Sequence, residues 1–345
     1  MDRALTGLTF AELTDALGSR TRALAVRKWL FGTRPLPQVL PARVEGVAAE
    51  RWSALRERSP LPAWEPAGRR LDPDGTTKIA LRLGQATVET VLIPADGRST
   101  VCVSSQAGCT RHCRFCATAT LGFQRQLTAA EIVLQYAIAR ASAPDDRPAR
   151  NVVFMGMGEP FDNLDEVLRA IDVLTGEAAP GLGHQHVTVS TSGVLPEMKR
   201  FLATSRAQLA LSLNATTDEQ RERLMPHNRT WPMASLLGAL REDAAGGSGR
   251  RYFVEYVLWR DVNDTDDDAR RLAALLADLP AHVNLIPHNA FEGNPLVPPA
   301  PERVLAFQKI VHDAGVRCLI RWPRGRDIAA ACGQLALVSS NNGYS

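Results

Sequence analysis

Three cysteines lie within eight residues of one another in the segment "GCTRHCRFCATATLGFQ", with the spacing Cys109-x3-Cys113-x2-Cys116. No fourth cysteine follows nearby. A structural zinc site usually closes a tetrahedron with two Cys-x2-Cys pairs, or with one pair and distant histidines, and the spacing of His112 fits neither pattern. Three thiolates also suit an iron–sulfur cluster, which four normally hold, and three ligands would leave one iron open to a substrate.

Polar residues recur at the points where predicted strands end. The cysteine cluster follows the first of these strands, and "GMGEP" (156–160) follows the second. Residues 190–192 end the third, residues 212–214 end the fourth, and "PHN" (287–289) closes a later one. A turn or a helix cap explains any single one of them. Together they indicate an active site, because barrel active sites lie at the C-terminal ends of strands.

The elements that must position these residues alternate between strand and helix from about residue 95 onward. Two amphipathic stretches between strands are "TAAEIVLQYAIARA" and "DDARRLAALLADL". Repeated β-α units predict an α/β fold with a parallel sheet, helices outside it, and an open or closed barrel. The strand-like runs are "TVCVSS", "NVVFMG", "HVTVST", "LALSLN", "YFVEYVLW", "HVNLIP" and "VRCLIRW".

Residues 1–90 have a different pattern and predict a small, mostly helical accessory domain ahead of a core at 91–345. "TFAELTDALG" has a capping-box pattern, with Thr9 followed three residues later by Glu12. "TTKIALRLGQATVETVLIP" alternates as a hairpin does, so a short sheet is expected to lead into the core. This region carries 14 Lys and Arg against 10 Asp and Glu. That excess suits either a solvated helical face or a surface that faces RNA.

Composition limits the class of protein. The 345 residues are 45% hydrophobic and 22% charged, as in ordinary soluble domains. No apolar run approaches the roughly 18 residues that a membrane span needs, and the N-terminus does not resemble a signal peptide. A cluster of free thiols then favours the cytoplasm. The net charge of +3 permits a nucleic-acid partner without requiring one.

The cysteine spacing, with Phe115 just before the last cysteine, resembles the signature of the radical S-adenosylmethionine (SAM) superfamily. Further segments, in family order from about residue 85 to 336, are similar to the RlmN/Cfr family of radical SAM RNA methyltransferases. The similarity is closer to RlmN, as "GEP" and "LGFQRQLT" indicate. The segments are "CVSSQAGCTRHCRFCATATLGFQRQLTAAEI", "FMGMGEPFDNLDEVL", "VTVSTSGVLP", "LSLNATTDEQRERLMPHNR", "VEYVLWRDVND", "VNLIPHN" and "RGRDIAAACGQLA".

The resemblance implies a partial (β/α)6-type barrel in which Cys109, Cys113 and Cys116 hold a 4Fe-4S cluster. SAM would bind the open iron and be cleaved to a radical after one electron arrives from an electron-donor protein. Two further cysteines match the family's catalytic pair. Cys332 would receive a methyl group and carry it to the base, and Cys102 would resolve the adduct through a transient disulfide with Cys332. Cys318 is expected to be a buried bystander.

The resemblance also implies residues for SAM binding and proton transfer. Glu89, in "VETVLIP", matches a family glutamate assigned as a proton acceptor. Asn214 stands where many members have histidine, and "PHNAFEG" replaces the commoner "PFNPFPG". The residues that match the family's SAM-binding positions are Gly158, Glu159, Ser190, Ser212, Leu213, Asn214 and Asn289.

The function implied is methylation of an adenosine ring carbon, with carbon 2 favoured, in 23S ribosomal RNA, in transfer RNA or in both. Three alternatives stay open at this point. They are Cfr-like methylation of carbon 8, a radical SAM enzyme acting on a substrate other than RNA, and a non-catalytic zinc-binding RNA protein. Cys102 and Cys332 favour the methyltransferase, because other radical SAM enzymes do not need that pair. The oligomeric state has no signature in the sequence.

Overall fold

The computed structural model describes residues 3–32, 35–291, 293–325 and 327–335. The last ten residues of the predicted core, 336–345, lie outside the described part. Strands in chain order are β1 (Glu65–Leu71), β2 (Thr77–Leu83), β3 (Ala86–Ala95), β4 (Arg98–Cys102), β5 (Gln106–Gly108), β6 (Phe123–Gln126), β7 (Ala149–Phe154), β8 (Val187–Thr191), β9 (Gln208–Ser212), β10 (Tyr252–Leu258), β11 (Ala281–Pro287) and β12 (Cys318–Ile320).

The helices lie mainly between these strands, and none among the described residues has the length and apolar character needed to cross a membrane. In chain order they are α1 (Phe10–Leu17), α2 (Arg20–Gly32), α3 (Ala49–Arg58), α4 (Ala129–Ala141), α5 (Leu164–Thr175), α6 (Leu195–Thr204), α7 (Asp218–Leu224), α8 (Met233–Ala245), α9 (Asp266–Leu276) and α10 (Pro301–Asp313).

One large sheet forms the centre of the molecule, in the order β1-β2-β3-β4-β7-β8-β9-β10-β11-β12. Neighbours from β4 through β12 are parallel. Most of their apolar residues are buried, which is typical of parallel strands covered by helices. All seven predicted strand runs are confirmed, as is the α/β class with a mostly parallel sheet.

The first three strands extend this sheet as an antiparallel meander. The predicted hairpin is β2 and β3, in which Leu83 pairs with Ala86 across a two-residue turn. Gly84 has a positive φ of 63° there, a backbone conformation that such turns require. Residue 90, the suggested domain division, lies inside β3, and the division itself stays a prediction.

The N-terminal helices pack outside the sheet against α4 and α5. Thr9 caps α1 through the predicted capping box with Glu12. The Thr6 hydroxyl donates to the Ala130 carbonyl at 2.7 Å, and Arg169 Nε donates to the Gly7 carbonyl at 3.0 Å. These contacts attach residues 5–17 to the helices that follow the cysteine segment, so the predicted accessory helices support the barrel directly.

The chain after β12 reaches back to the other side of the sheet. Gly325 N–H donates to Asp74 in the turn between β1 and β2, at 3.1 Å. Lys78 of β2 donates to the Ala329 carbonyl at 3.2 Å. Because β12 and β1 are the two edges of the sheet, this segment bridges its ends. It is also the segment that carries Cys332.

Candidate active site

The cysteine loop is closed at its base by the small antiparallel sheet of β5 and β6. Cys109 N–H donates to the Gly122 carbonyl at 3.0 Å across that base. A Cβ atom at Gly108 would come within 1.8 Å of the same carbonyl oxygen, so only glycine permits this close approach. The loop between these strands therefore turns back on itself and keeps its three cysteines together.

The thiols of Cys109, Cys113 and Cys116 line one cavity. Burial raises the pKa of Cys109 to about 12 and that of Cys113 well above its usual value. The charges of Cys116 and Cys109 raise the pKa of Cys113 further. Three thiolates held this close in a buried site require positive charge between them.

The donor set fits a cluster better than a single metal ion. Within the described ranges, no three His, Cys, Asp or Glu side chains converge as a one-ion site requires. In a four-iron cluster each thiolate binds a different iron, so the sulfurs stand farther apart. Three cysteines that line one cavity without converging on a single point agree with that arrangement.

Glu159 and Gly158 lie on the cavity wall after β7. The Glu159 carboxylate accepts from Ser192 N–H at 2.8 Å, from the Ser192 hydroxyl at 2.6 Å and from Phe161 N–H at 3.0 Å. Burial raises the pKa of Glu159, while the bonds from Ser192 oppose the shift. A Cβ at Gly158 would lie 2.5 Å from Gln106 Cβ, so glycine is needed there too. A buried carboxylate held this way is suited to receive an ammonium group.

Ser190, Ser212 and Asn214 also line the cavity, at the ends of β8 and β9. The two serine hydroxyls lie 3.3 Å apart. Asn214 has a left-handed φ of 60°, which asparagine tolerates better than most residues, and its Oδ1 accepts from Val257 N–H at 2.9 Å. Leu213, grouped with them by the resemblance, is fully buried in the hydrophobic core and does not line the cavity.

Asn289 and His288 form the opposite part of the wall, after β11. Asn289 Nδ2 donates to the Cys332 carbonyl at 3.1 Å. Asn289 Oδ1 and His288 Nε2 are buried without a hydrogen-bond partner among the described residues. Burial lowers the pKa of His288 to about 4, so its ring is neutral at physiological pH. Unsatisfied polar atoms beside a cavity fit a polar ligand such as SAM.

Cys102 and Cys332 come from opposite ends of the core, and the charge of Cys332 acts on the Cys102 thiol. Cys332 lines the cavity, whereas Cys102 is buried at the end of β4 and does not. Burial raises the pKa of the Cys102 thiol, and the neighbouring Cys332 raises it further. Cys332 is exposed, but the protein atoms around the cavity still raise the pKa of its thiol to about 11 through desolvation, followed by the charges of Glu255 and Cys116. All six cysteines are free, and Cys318 is buried in β12, away from the cavity.

Glu89, the predicted proton acceptor, lies in β3. It is fully buried in β3, forms an ion pair of 3.0 Å with the equally buried Lys78, and is not among the residues that line the cavity. To accept a proton from the substrate, Glu89 would have to contact that substrate while it is paired with Lys78. Its role as proton acceptor stays a prediction.

Sequence reasoning missed Glu255, which lines the cavity from the middle of β10. Burial raises its pKa to about 7, and Asn284 Nδ2 donates to its Oε1 at 2.7 Å. It is a carboxyl group that titrates near neutrality beside a thiol that must lose a proton to react. The only available signal was an acidic residue inside an otherwise apolar strand run, "YFVEYVLW".

Arg221 was also missed. It is fully buried in α7 and donates to the Ser192 carbonyl, to the Ser212 carbonyl at 3.0 Å and to the Leu213 carbonyl at 3.0 Å. One guanidinium thus joins the chain ends that follow β8 and β9, where two of the predicted SAM-binding serines lie. In the sequence it is indistinguishable from a surface arginine of the charged helix "DEQRERL".

Comparison with known proteins agrees with this geometry. Residues 103–273 match the model of the radical SAM superfamily. The chain is 42% identical to the dual-specificity RNA methyltransferase RlmN of Paracoccus denitrificans, over 96% of this chain and 89% of that protein. It is 48% identical to a probable RNA methyltransferase of Sorangium cellulosum, over 84% of this chain and 73% of that one.

A solved structure is similar as well. The radical SAM methyltransferase from Sphaerobacter thermophilus superposes with a TM-score of 0.87 at 39% identity, covering 96% of this chain and 99% of that one. The cofactors of the superfamily, a 4Fe-4S cluster and SAM, fit the three thiols and the polar cavity beside them. The chain therefore belongs to the family of RlmN-type radical SAM RNA methyltransferases.

Proposed function

We propose that this enzyme methylates carbon 2 of an adenosine in 23S ribosomal RNA and in transfer RNA, with the methyl group carried on Cys332. The observation that carries the proposal is that Cys332 lines the cavity of the three cluster thiols and is near enough for its charge to raise the pKa of the buried Cys102. RNA as the substrate is supported by the relatives, which are named RNA methyltransferases.

The chemistry explains why two cysteines outside the cluster are useful. Carbon 2 of adenine is electrophilic, so a methyl cation cannot be added there directly. Cluster and SAM, when bound, supply the methyl group and the one-electron activation. Cys332 then provides the carbon as a thioether, which can be activated at its methyl group and bonded to the ring. Its thiol faces the cavity, where a base can reach it.

Release from the ring needs a second sulfur. The Cys102 thiolate takes the proton from the ring carbon and passes it to solvent, and it then bonds to the Cys332 sulfur as the carbon–sulfur bond breaks. Over one turnover the two cysteines lose two electrons, which reductive cleavage of a second SAM to methionine and 5′-deoxyadenosine takes up. An electron-donor protein would supply the one electron that starts each cleavage, and one electron would return to the cluster when the ring adduct is oxidised, so the starting electron is not consumed. A dithiol or protein reductant would supply the two electrons that reduce the disulfide before the next cycle.

The other candidate residues have positions that agree with binding SAM. Glu159 would accept from its ammonium group, and Ser190, Ser212, Asn214 and Asn289 would contact the rest of the molecule from the same cavity. Gly158 allows the backbone to lie close to it. For Leu213 only main-chain contact is compatible with its buried side chain.

Covalent trapping tests the proposal. Cys102→Ala should load a methyl group on Cys332, attach to RNA and stop there, so a denaturing gel should show a protein–RNA adduct that RNase removes. Cys332→Ala should form no adduct, because it cannot carry the methyl group. Cys318→Ala is the matched control and should turn over as the wild type does. Normal turnover by Cys102→Ala would refute the two-cysteine mechanism.

Mass spectrometry of the product nucleoside tests the position and the target. Incubation with 23S ribosomal RNA and with transfer RNA should yield 2-methyladenosine from each. If 8-methyladenosine appears instead, the methylated position is carbon 8 and the proposal of carbon 2 is wrong. Modification of neither RNA, with SAM cleavage retained, would point to a substrate other than these two.

A further inference from the structure

Cys332 lies in a segment without regular secondary structure, between β12 and the end of the described residues. Ala329, three residues before it, has a φ of +51°, an unfavourable conformation for a residue with a Cβ. Such a conformation persists only where surrounding contacts impose it. The segment before Cys332 must therefore be held from outside.

The turn between β1 and β2 provides part of that hold. Asp74 Oδ2 accepts from Gly325 N–H at 3.1 Å, and Asp72 Oδ2 accepts from Asp327 N–H at 3.2 Å. The second oxygen of each carboxylate accepts from the turn's own backbone, at 3.0 Å for Asp72 and 2.8 Å for Asp74. The turn is thus rigid on one side and bound to the Cys332 segment on the other.

Lys78 provides the other part from inside the protein. Its side chain is 1% exposed, and its Nζ lies 3.0 Å from Glu89 Oε1 and donates to the Ala329 carbonyl at 3.2 Å. Removing a lysine and a glutamate from water costs free energy, and well-packed apolar residues would often serve stability as well or better. An apolar side chain in place of Lys78 could not donate the hydrogen bond to the Ala329 carbonyl.

The register of the sheet puts this ion pair beside Cys102. Lys78 pairs with Val91 of β3, and Val91 pairs with Cys102 of β4, so the three side chains share one face. Glu89 is two residues from Val91 and lies on that face as well. Lys78 therefore connects the strand neighbours of Cys102 to the segment of Cys332.

We propose that Lys78 is a positioning residue for Cys332, with Glu89 as its buried counter-ion and the Asp72–Thr76 turn as a second anchor. The inference rests on the proposed function, in which Cys102 and Cys332 must meet. Disulfide geometry allows Cα–Cα separations only between about 4.4 and 6.8 Å, so a small displacement of the Cys332 segment prevents bonding. In this inference Glu89 acts through Lys78, and its predicted role as proton acceptor is a separate matter.

The test measures how often the two sulfurs meet. Anaerobic, cluster-loaded enzyme is equilibrated with oxidised and reduced glutathione, and the Cys102–Cys332 disulfide is quantified by peptide mass spectrometry. Each disulfide formed converts one oxidised glutathione to two reduced ones, so the equilibrium gives an effective concentration of one thiol at the other. Iron content is checked in every sample.

The central variant is the double substitution Lys78→Met with Glu89→Gln. Removing both charges avoids an unpaired buried ion, so the melting temperature should stay near that of the wild type. Effective concentration should nevertheless fall roughly tenfold or more, as expected for loss of a charge-assisted hydrogen bond. Arg82→Met, on an exposed position of the same strand, is the matched control and should change nothing.

Asp74→Ala tests the second anchor from the surface, where the fold tolerates change. It should lower the effective concentration by a smaller factor. An unchanged effective concentration in both the double variant and Asp74→Ala would overturn the inference while leaving the proposed function intact. A wild type that forms no Cys102–Cys332 disulfide would overturn the proposed function, and the inference with it.

Discussion

The cluster loop, 109–116, and the Cys332 segment, 325–335, face the same cavity but are held in different ways. The cluster loop is closed at its base by its own two-stranded sheet. The Cys332 segment depends on distant parts of the chain. Thr118 donates to the Leu335 carbonyl at 2.6 Å, Gln334 donates to the Ala290 carbonyl at 2.9 Å, and Lys78 reaches Ala329.

The two ways of holding a segment correspond to two tasks, binding of the cluster by the loop and transfer of the methyl group by Cys332. A cluster needs three sulfurs in one fixed arrangement, which a short closed loop supplies from adjacent residues. Transfer needs Cys332 to meet Cys102, which ends β4 and is distant from Cys332 in the sequence, so no local segment can arrange it. Substitutions away from the cavity should therefore spare the cluster and affect Cys332.

The largest expected effect lies in the cluster loop. Cys113→Ala should lose the cluster altogether, because two thiolates cannot replace three. Iron analysis after anaerobic reconstitution should give about four irons per chain for the wild type, the number in one 4Fe-4S cluster. Cys318→Ala should retain all of them. A full complement of iron in Cys113→Ala would show that the loop does not bind the cluster as described.

The second-largest expected effect is a change in thermal stability caused by Glu255, the buried carboxyl group near Cys332. Burial raises the pKa of Glu255 to about 7, so the folded protein keeps this proton while the unfolded chain loses it near its ordinary value of 4.5. The stability associated with the protonated form is complete below about pH 4.5 and is lost as pH rises through about 7. Glu255→Gln should thus melt at a higher temperature than the wild type at pH 8.5.

This increase in melting temperature should shrink as pH falls toward 5.5. At high pH the corresponding increase in the free energy of unfolding is at most about 3 kcal/mol. Anaerobic thermal melts across that range measure it. Glu242→Gln removes an exposed carboxylate and controls for the change in net charge. A gain that is the same at both ends of the range would contradict a raised pKa for Glu255.

The smallest expected effect is a slower methyl loading of Cys332 with no change in the cluster loop. Gln334→Met removes the hydrogen bond to the Ala290 carbonyl while keeping the length of the side chain. Loss of about 1 kcal/mol should slow methyl loading of Cys332 several-fold. Iron content should not change. Peptide mass spectrometry of Cys332 over time gives the rate.

A matched glutamine lies away from the cavity. Gln308 donates to the Cys318 carbonyl at 2.9 Å, so Gln308→Met breaks the same kind of bond without touching the Cys332 segment. It should leave methyl loading unchanged. Equal slowing by both variants, or loss of iron from Gln334→Met, would show that the two regions are not held independently.

Local patterns predicted a large part of the fold. The seven strand runs are confirmed because continuous apolar stretches of this length, separated by amphipathic helices, have few other ways to bury their side chains. The capping box at Thr9 and the hairpin of β2 and β3 are confirmed for a similar reason, since both depend on residues a few positions apart. The three cluster thiols meet at one cavity because eight consecutive residues contain them all.

The surroundings of several residues depend on contacts between distant strands, which local patterns do not show. Leu213 sits between two predicted SAM-binding residues, but its side chain turns into the core. The alternating pattern predicted the strand that contains Glu89, but the ion pair with Lys78 forms only because β2 pairs with β3. Glu255 and Arg221 were missed because a buried charge looks like any other charge until its neighbours are known.

By itself, the sequence determined the α/β class, the loop that gathers three thiols, and, through its family resemblance, the cofactors. Each of these follows from residues that are close together in the chain. Only the tertiary structure decided that Lys78 reaches the Cys332 segment, that Arg221 joins the chain ends after β8 and β9, and that Glu255 lines the cavity. The physical reason is that an irregular segment has no periodic pattern, so its place is set by hydrogen bonds to strands at the other end of the sheet.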